Sequence, residues 1–453
     1  MSNILTLVKD IRVSRNIVNL VEKIVEHKSI QLWSISDGKR EFERSKSIID
    51  GSLKNGLDTK KISDSMRAQG IDQIKGSNRV ILLHDESNIR KPHAEKMENL
   101  GKVRDLNGNL VNGYDTFNTV ALDENEKVIP LDISVFSNGD DHFVTEKETV
   151  AFAKGKLQAS EDEQDRFRAK QIQASLEEDR DINLFRITQQ QLERVSKEIK
   201  KHNPDVELIH ILDRRTDGNR YFKYIDGVLH DLFINRIKVS RNSDQTKFNK
   251  EKNKEEFVKL VDAQFTHSKI YHFEKVSFNG EIYENVKCDI EYDKFPFDKK
   301  KYTVIRITLT DKDNKNIFKN PMLLIAKMNV ESAEQAFQIY RLYLKRAKIE
   351  TVFKFLKSVL GWEQFQVEDY ESIKNIIALC YFVGAYFYII ESHLIDDPVI
   401  KFICLLGGGK GVGSRYFFIK GLAKILIMKS VERFIKEHNI DVDTWNKIAN
   451  FFS

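Results

Sequence analysis

The sequence contains little cysteine. Its three cysteines, Cys288, Cys380 and Cys404, stand far apart in a chain of 453 residues and form no C-x-x-C pair. Disulfide frameworks and structural zinc sites both need more cysteines, or cysteines closer together. The composition therefore argues against both kinds of site and indicates a protein of the reducing cytosol.

A long apolar run is also missing. The most apolar stretch, residues 376–390, has 15 residues, whereas a membrane-spanning helix needs about 20. Residues 1–30 alternate charged and apolar residues, without the apolar segment of a secretory signal. We therefore expect a cytoplasmic protein with no membrane partner, in which residues 376–390 form a helix buried in the core.

The chain lacks a strong net charge. It carries 73 Lys and Arg against 68 Asp and Glu, which leaves +5. The cations are nevertheless concentrated: residues 1–78 carry 14 Lys and Arg against 10 Asp and Glu, and residues 340–357 carry six against Glu350 alone. Because phosphate contacts are made by local patches, the modest total does not exclude a nucleic-acid partner.

Apolar residues are plentiful enough for a substantial core. They make up 41% of a chain of 52.8 kDa. At this length the chain is expected to fold into two or three domains, since single cores stop growing at about 250 to 300 residues.

One predicted helix carries an unusual face. Tyr343, Arg346, Glu350, Lys354 and Lys357 follow one another at spacings of three, four, four and three. These spacings place all five on one side of a helix, because an α-helix turns about 100° per residue. An acid among cations suits a divalent metal beside a polyanion. The alternative is a solvated helix covered with ion pairs.

Two further acids follow apolar segments. Asp85 comes directly after the strand pattern of residues 79–84, and Asp213 directly after that of residues 206–212. Both are therefore predicted at strand ends, where ligands bind in open α/β sheets, and they could converge with Glu350 on a metal. Each aspartate alone is equally explained as a turn former or a helix cap.

Together these residues resemble a known family. Tyr343, Arg346, Glu350 and Lys357 match the Y-x2-R-x3-E-x6-K signature of DDE transposases from bacterial insertion sequences, in the group named after insertion sequence four. Asp85, in HDESN, resembles the first acid of that family, and Asp213, in DRRTD, resembles the second. The resemblance spans roughly residues 40–420.

The motifs depart from the family pattern at four positions. Glu86 and Ser87 follow the first acid where the family often has Asp or Thr followed by Thr. Arg215 and Thr216 replace the usual Glu-Ala after the second acid. None of these four positions is a proposed metal ligand.

A tryptophan is absent where relatives of the family use one to stack a flipped DNA base. The three tryptophans of this chain all lie outside the segment between Asp213 and Glu350. Phe273, Phe278 or Tyr283 could replace it as stacking platforms. Ordinary packing between strands is the more common role of such rings.

The order of elements, with the resemblance, predicts an α/β fold with a ribonuclease-H-like catalytic core. Strand patterns precede a long helical stretch at residues 160–201, and a further strand leads to Asp213. The long separation of Asp213 from Glu350 predicts an inserted β-rich domain. The predicted units are an N-terminal helical, DNA-contacting domain at 1–78, the first part of the core at 79–242, the inserted domain at 243–330, the helix with the third acid at 331–365 and a C-terminal helical region at 366–453.

The resemblance also implies a chemistry. Asp85, Asp213 and Glu350 would be the catalytic residues and would hold two Mg²⁺ ions, with Mn²⁺ as a substitute, while DNA is cleaved at element ends and joined to target DNA. The residues that would contact the DNA phosphates are Tyr343, Arg346, Lys354 and Lys357.

The implied partners are the inverted repeats at the element ends and the target DNA, bound by a homodimer in the bacterial cytoplasm at the nucleoid. Two alternatives stay open. A ribonuclease-H-like nuclease, or a domesticated derivative, would cut without joining. A DNA-binding protein would use the three acids only structurally.

Overall fold

The computed structural model of the protein describes residues 11–50, 57–249, 254–278, 280–393, 397–409 and 414–437. Residues 1–10 of the predicted N-terminal domain and residues 438–453 of the predicted C-terminal region therefore lie outside the described residues. Helices and strands are both abundant, which confirms the α/β class. The helices are α1 Ile11–His27, α2 Leu32–Ile35, α3 Lys39–Ile49, α4 Thr59–Ile74, α5 Glu146–Ala153, α6 Glu163–Glu177, α7 Leu184–His202, α8 Asn219–Tyr224, α9 Ala333–Leu344, α10 Ala347–Val359, α11 Tyr370–His393, α12 Pro398–Leu406 and α13 Arg415–Glu437. The strands are β1 Arg79–Arg90, β2 Gly101–Arg104, β3 Leu110–Leu122, β4 Val128–Phe136, β5 Glu207–Leu212, β6 Leu232–Ile237, β7 Asn242–Asn249, β8 Lys254–Lys259, β9 His267–Phe278, β10 Glu281–Phe297, β11 Lys300–Thr310 and β12 Met322–Ala326.

Ten of the described strands form one sheet. Its order is β2-β3-β1-β5-β6-β12-β11-β10-β9, and β4 also pairs with β3. The pairings β1–β5 and β5–β6 are parallel and the others are antiparallel. Four consecutive apolar residues of β1, Val80 to Leu83, are buried, as expected for a central strand that is covered on both faces.

Strand β1 is longer than its apolar pattern predicted. The prediction placed Asp85 directly after a strand ending at His84, but the strand continues to Arg90, so this part of the prediction is wrong. The reason is the antiparallel partner: Asp85 lies opposite Asn118 of β3, and that ladder continues through polar residues. The parallel pairing with β5, in contrast, ends at Leu83 and Ile211. Asp85 and Asp213 therefore both lie just beyond the end of the parallel pairing.

The segment between β6 and α9 consists largely of strands. The strand patterns at residues 276–278, 302–309 and 322–325 lie within β9, β11 and β12. Strand β12 pairs with β6, so these strands continue the sheet that carries the acids, and β7 and β8 form a separate two-stranded sheet. The division of the chain into domains stays a prediction.

The predicted helix with the five-residue face is two helices. Helix α9 starts with a capping box, in which Ser332 Oγ accepts a hydrogen bond from the Gln335 amide over 3.3 Å, and it ends at Leu344. Helix α10 begins at Ala347. Between them the amides of Lys345, Arg346 and Lys348 each donate to the carbonyl three residues back. This spacing is that of the tighter 3₁₀ helix. The expectation of one uninterrupted helix is therefore wrong.

The N-terminal helices pack against α11. Asp58 caps α4, its side chain accepting from the Lys60 amide over 2.7 Å. Buried Asn375 of α11 donates to the carbonyls of Ile49 and Leu57, over 3.0 and 2.8 Å. These contacts join the end of α3 and the residues just before α4 to α11.

Helix α11 contains the most apolar stretch of the sequence. Among the residues that the structure describes, it is the one helix long and apolar enough to cross a membrane, but most of it is buried in the protein. Buried core helices of folded proteins can be equally long and apolar. The expectation of a buried helix at 376–390 agrees with this placement.

Candidate active site

Two of the three acids predicted from the sequence form ion pairs with one guanidinium group, and the third lies near it. Arg346 Nη1 forms an ion pair with Asp85, and Arg346 Nη2 lies 2.9 Å from Glu350 Oε1. Asp213 lies close enough for its charge to act on both Asp85 and Arg346. The fold thus brings together residues separated by more than 250 positions in the chain.

Local structure positions each acid in a different way. Asp85 Oδ1 accepts from the Glu86 amide over 3.1 Å. Asp213 caps a short 3₁₀ turn and its Oδ1 accepts from the Arg215 amide over 2.7 Å. Glu350 lies in the first turn of α10, where negative charge is favoured by the helix dipole, and its side chain is 57% exposed.

The electrostatics of the site disfavour negative charge on Asp85. Burial raises the pKa of Asp85 to about 7, the Arg346 charge opposes this shift, and repulsion from Asp213 and Glu350 adds to it. Burial and an excess of neighbouring carboxylates over cations are what raise a carboxyl pKa. The site is therefore one that an added cation would stabilise.

The side chains present fit a divalent metal in their chemistry. Carboxylate oxygens are the ligands that Mg²⁺ and Mn²⁺ prefer, and the pKa of Asp85 is raised mainly by burial, with a further contribution from the neighbouring carboxylates. Among the described residues, however, no group of three or more His, Cys, Asp or Glu side chains is arranged to hold a metal ion. The Arg346 guanidinium bonds to two of the acids. Its positive charge lies here between Asp85 and Glu350, where a metal ion would lie. Arg346 would have to release both carboxylates before they could bind a metal ion.

The other predicted site residues differ in exposure. Tyr343 is buried and hydrogen-bonded by Arg236. Lys357 Nζ donates to the Asn88 carbonyl over 2.5 Å and lies 3.3 Å from Glu363, and burial lowers its pKa. Lys354 is exposed on α10.

Three charged residues beside the acids were not among the predicted site residues. Glu86 forms an ion pair with Arg215, and Asp115 of β3 lies near both. Burial raises the pKa of Glu86 to about 7 and that of Asp115 to about 6, and Arg215 opposes both shifts. The signal in the sequence was the departure from the family motifs at positions 86 and 215, which carry opposite charges.

The three aromatic candidates of the β-rich segment have different surroundings. Phe278 packs edge-on against Phe318, with ring centroids 4.5 Å apart. Phe273 stacks against Phe337 of α9, and the Tyr283 hydroxyl donates to Glu281 over 2.6 Å. Among the three candidates, Phe278 is thus the one that packs against another aromatic ring of the β-rich segment, Phe318.

Phe278 also lines a cavity of about 500 Å³ at the edge of the acid site. Three cations face the same cavity, and the sequence had indicated none of them. They are Arg214, Arg236 and Lys319. Arg214 follows Asp213 in the chain, and Arg236 hydrogen-bonds Tyr343, so the cavity lies next to the acids.

Comparison with known proteins bears on the same region. The family model described as "Transposase DDE domain" matches residues 171–386. A search of curated proteins found no match.

The matched residues include Asp213, Arg346 and Glu350, and Asp85 precedes them. Members of this family are nucleotidyl-transfer enzymes that act on DNA and generally use divalent metal ions. The match confirms the resemblance to DDE transposases over the residues it covers: residues 171–386 match a transposase DDE domain.

Proposed function

We propose that the protein is a cut-and-paste transposase of the insertion sequence four type, which cleaves DNA at the ends of its element and joins those ends to target DNA. The observation that carries the proposal is the convergence of Asp85, Asp213 and Glu350 around Arg346. A solvated helix covered with ion pairs would not explain why acids from β1, the end of β5 and α10 lie close to one arginine.

The order of the central strands supports a ribonuclease-H-like core. The strands β4, β3, β1, β5 and β6 lie side by side in this order, and β1, β5 and β6 are parallel. In this arrangement β1 carries Asp85 at the centre of the sheet and Asp213 follows the neighbouring strand. Glu350 reaches the same end of the sheet from α10.

Asp85, Asp213 and Glu350 would hold Mg²⁺ or Mn²⁺, with two ions in the site. Bound divalent ions at such a site lower the pKa of the attacking hydroxyl and neutralise the leaving oxygen. Arg346 would leave the acids and contact a phosphate, for which its planar fork of donors is suited. Tyr343 is held by Arg236 at the same place and would contact a phosphate near the cleaved bond.

The cations of α10 would bind the DNA backbone. Lys354 is exposed, and Lys357 is held at the end of the acid site by Asn88 and Glu363. Contacts to phosphate supply most of the affinity of such proteins for DNA and fix the register of the duplex.

The cavity beside Phe278 would take a base. An aromatic ring and three cations facing one space combine a stacking platform with phosphate contacts, the two features that single-strand binding sites share. Phe278 and Phe318 would then replace the tryptophan that relatives use. The complete assembly would be a homodimer on paired element ends, in the bacterial cytoplasm at the nucleoid.

The test is cleavage and joining of DNA that carries the inverted repeats flanking the gene, with Mg²⁺, with Mn²⁺ and with EDTA. Wild-type protein should nick the ends only with a metal and should join them to a target plasmid. Metal-dependent cleavage without joining would indicate a nuclease instead.

Single alanine variants of the three acids sharpen this test. Asp85→Ala, Asp213→Ala and Glu350→Ala should each abolish cleavage and leave binding of the ends largely intact, because affinity for DNA comes mainly from Lys and Arg. Glu207→Ala, at the opposite end of β5 from Asp213, is the matched control and should cleave normally. Full cleavage by one of the three acid variants would remove that acid from the site.

A further inference from the structure

We propose that Glu86 and Arg215 form a positioning pair that sets the separation of Asp85 and Asp213, and with it the affinity of these acids for divalent cations. The inference rests on the proposed function, since it assigns the acids a metal. It concerns two residues that touch neither the metal nor the DNA in the proposed mechanism, so they act through the acids.

Each acid is held by the backbone of a neighbouring residue. The Glu86 amide donates to Asp85 Oδ1, and the Arg215 amide donates to Asp213 Oδ1, over 3.1 and 2.7 Å. The side chains of these same two neighbours form an ion pair with each other. A continuous series of contacts therefore runs from Asp85 through Glu86 and Arg215 to Asp213.

The pair lies where the backbone ladder no longer holds β1 to β5. Their parallel pairing ends at Leu83 and Ile211, two residues before each acid. Beyond this point β5 turns into the 3₁₀ segment that begins at Asp213. The spacing of the two acids then depends on contacts between side chains, and the ion pair crosses from one segment to the other.

A second contact holds the 3₁₀ turn from the opposite side. Thr216 Oγ1 lies 2.8 Å from both the Asp213 carbonyl oxygen and Asn235 Oδ1 of β6, so its one hydroxyl proton is shared between these two acceptors. This contact joins the turn to β6 and does not reach β1. Arg215 supplies the link to β1, so the two adjacent residues tie the turn to both neighbouring strands.

Burial makes the ion pair necessary for Glu86. Its side chain is 9% exposed, while that of Arg215 is 51% exposed. A largely buried carboxylate is stable only with a partner, and the Arg215 charge also acts on Asp115 and Asp213. One guanidinium therefore balances several carboxylates behind the acid site.

The two residues are also departures from the motifs of the resembling family. Glu86 stands where Asp or Thr is common and Arg215 where Glu is common. A glutamate at position 215 would repel Glu86 at this separation. The opposite charges at the two positions are therefore matched to each other within this chain.

The experiment measures Mn²⁺ binding and end nicking in full-length Glu86→Gln, Arg215→Gln, Arg215→Lys and the double variant Glu86→Gln/Arg215→Gln. Binding is followed by the electron paramagnetic resonance signal of free Mn²⁺, and nicking by its dependence on Mn²⁺ concentration. Glu207→Gln is the matched control, because it breaks an exposed ion pair with Arg79 that joins the same two strands at their other ends.

Glu86→Gln and Arg215→Gln should each raise the Mn²⁺ concentration for half-saturation about tenfold, as loss of a residue supporting a metal ligand does. The double variant should be no worse than either single one, and Arg215→Lys should restore part of the affinity. Glu207→Gln should bind Mn²⁺ like the wild type. The nicking rate at saturating Mn²⁺ should change much less than the Mn²⁺ dependence.

Two outcomes separate the possible failures. If wild-type protein neither binds Mn²⁺ nor nicks the ends, the proposed function fails. If the wild type does both and the folded Glu86 and Arg215 variants have the same Mn²⁺ dependence, the positioning pair is wrong. Should Glu86→Gln fail to fold, Arg215→Gln decides, because Arg215 is the more exposed partner: unchanged Mn²⁺ affinity in this variant overturns the inference.

Discussion

Asp85 lies where its surroundings disfavour its charged form. Burial raises its pKa to about 7, with Arg346 opposing and Asp213 and Glu350 adding to the shift. A carboxyl group whose pKa is higher in the folded than in the unfolded protein stabilises the fold below its unfolded pKa. That contribution is lost as the pH rises through about 7.

We expect metal-free protein in EDTA to lose stability between pH 5 and pH 8, and Asp85→Asn to reduce that loss. At pH 8 the variant should exceed the wild type in the free energy of unfolding by on the order of 2 kcal/mol, since each unit of pKa shift corresponds to about 1.4 kcal/mol. Denaturant unfolding at the two pH values measures this. A variant less stable than the wild type at pH 8 would mean that the ion pair with Arg346 outweighs the burial of Asp85.

At the scale of elements, the junction between α9 and α10 places Arg346 over the acids. Glu126, in the turn between β3 and β4, holds this junction through Lys345 and Lys348, over 2.9 and 2.6 Å. Two basic side chains of the region are thus engaged by one carboxylate. The remaining cations of α10 differ in role, because Lys354 is exposed and Lys357 is bound by Asn88 and Glu363.

Salt dependence of DNA binding separates these cations. Arg346→Ala, Lys354→Ala and Lys357→Ala should each weaken binding and lower the slope of log K against log salt by about one unit for each lost phosphate contact. Lys357→Ala should also lower the melting temperature, because it removes one of the two cations that pair with Glu363. Lys348→Ala is the control on the same helix. Equal slopes for all variants and the wild type would favour the solvated-helix alternative.

The aromatic residues of the β-rich segment give a second prediction at this scale. Phe278→Ala and Phe318→Ala should slow release of double-strand breaks and leave first-strand nicking intact, because a stacked base is worth about 1 to 3 kcal/mol. Phe273→Ala should mainly lower stability, since this ring stacks against Phe337 of α9. Tyr283→Ala completes the set. Nicking and break release are assayed separately, and wild-type release by all four variants would exclude base stacking by these rings.

At the scale of the whole molecule, a shared core connects regions that are far apart in the sequence. A cluster of buried apolar side chains includes residues of α1, the central strands, β10 to β12 and α9 to α13. The N-terminal helices and the β-rich segment are therefore packed into the same core as the acid-bearing strands. Damage to either is expected to be felt throughout the fold.

Asn375→Ala tests this coupling. The substitution leaves the buried carbonyls of Ile49 and Leu57 without their donor and removes the partner of the Thr59 hydroxyl. The free energy of unfolding should fall by about 2 to 4 kcal/mol, because unpaired buried polar groups cost about 1 to 3 kcal/mol each. Thr59→Val, which removes one of these contacts, should cost less. A loss confined to the N-terminal helices, seen by hydrogen exchange, would show that they unfold separately.

The sequence by itself determined the α/β class, and it singled out the three acids that the proposed function uses, because both depend on local patterns. Strand periodicity and apolar runs mark elements, and the spacing of Arg346, Glu350 and Lys357 resembles the signature of a transposase group. It also indicated the buried α11 from length and composition alone. Periodicity, apolar runs and motif spacing can each be recognised within about 20 neighbouring residues.

Only the tertiary structure decided how those residues meet. The continuation of β1 past Asp85 depends on pairing with β3, and the ion pair of Glu86 with Arg215 joins positions 129 residues apart. The break between α9 and α10 and the contacts of Lys345 and Lys348 with Glu126 likewise involve partners remote in sequence. Long-range strand pairing and buried charge pairs depend on three-dimensional proximity, which no local pattern in the chain encodes.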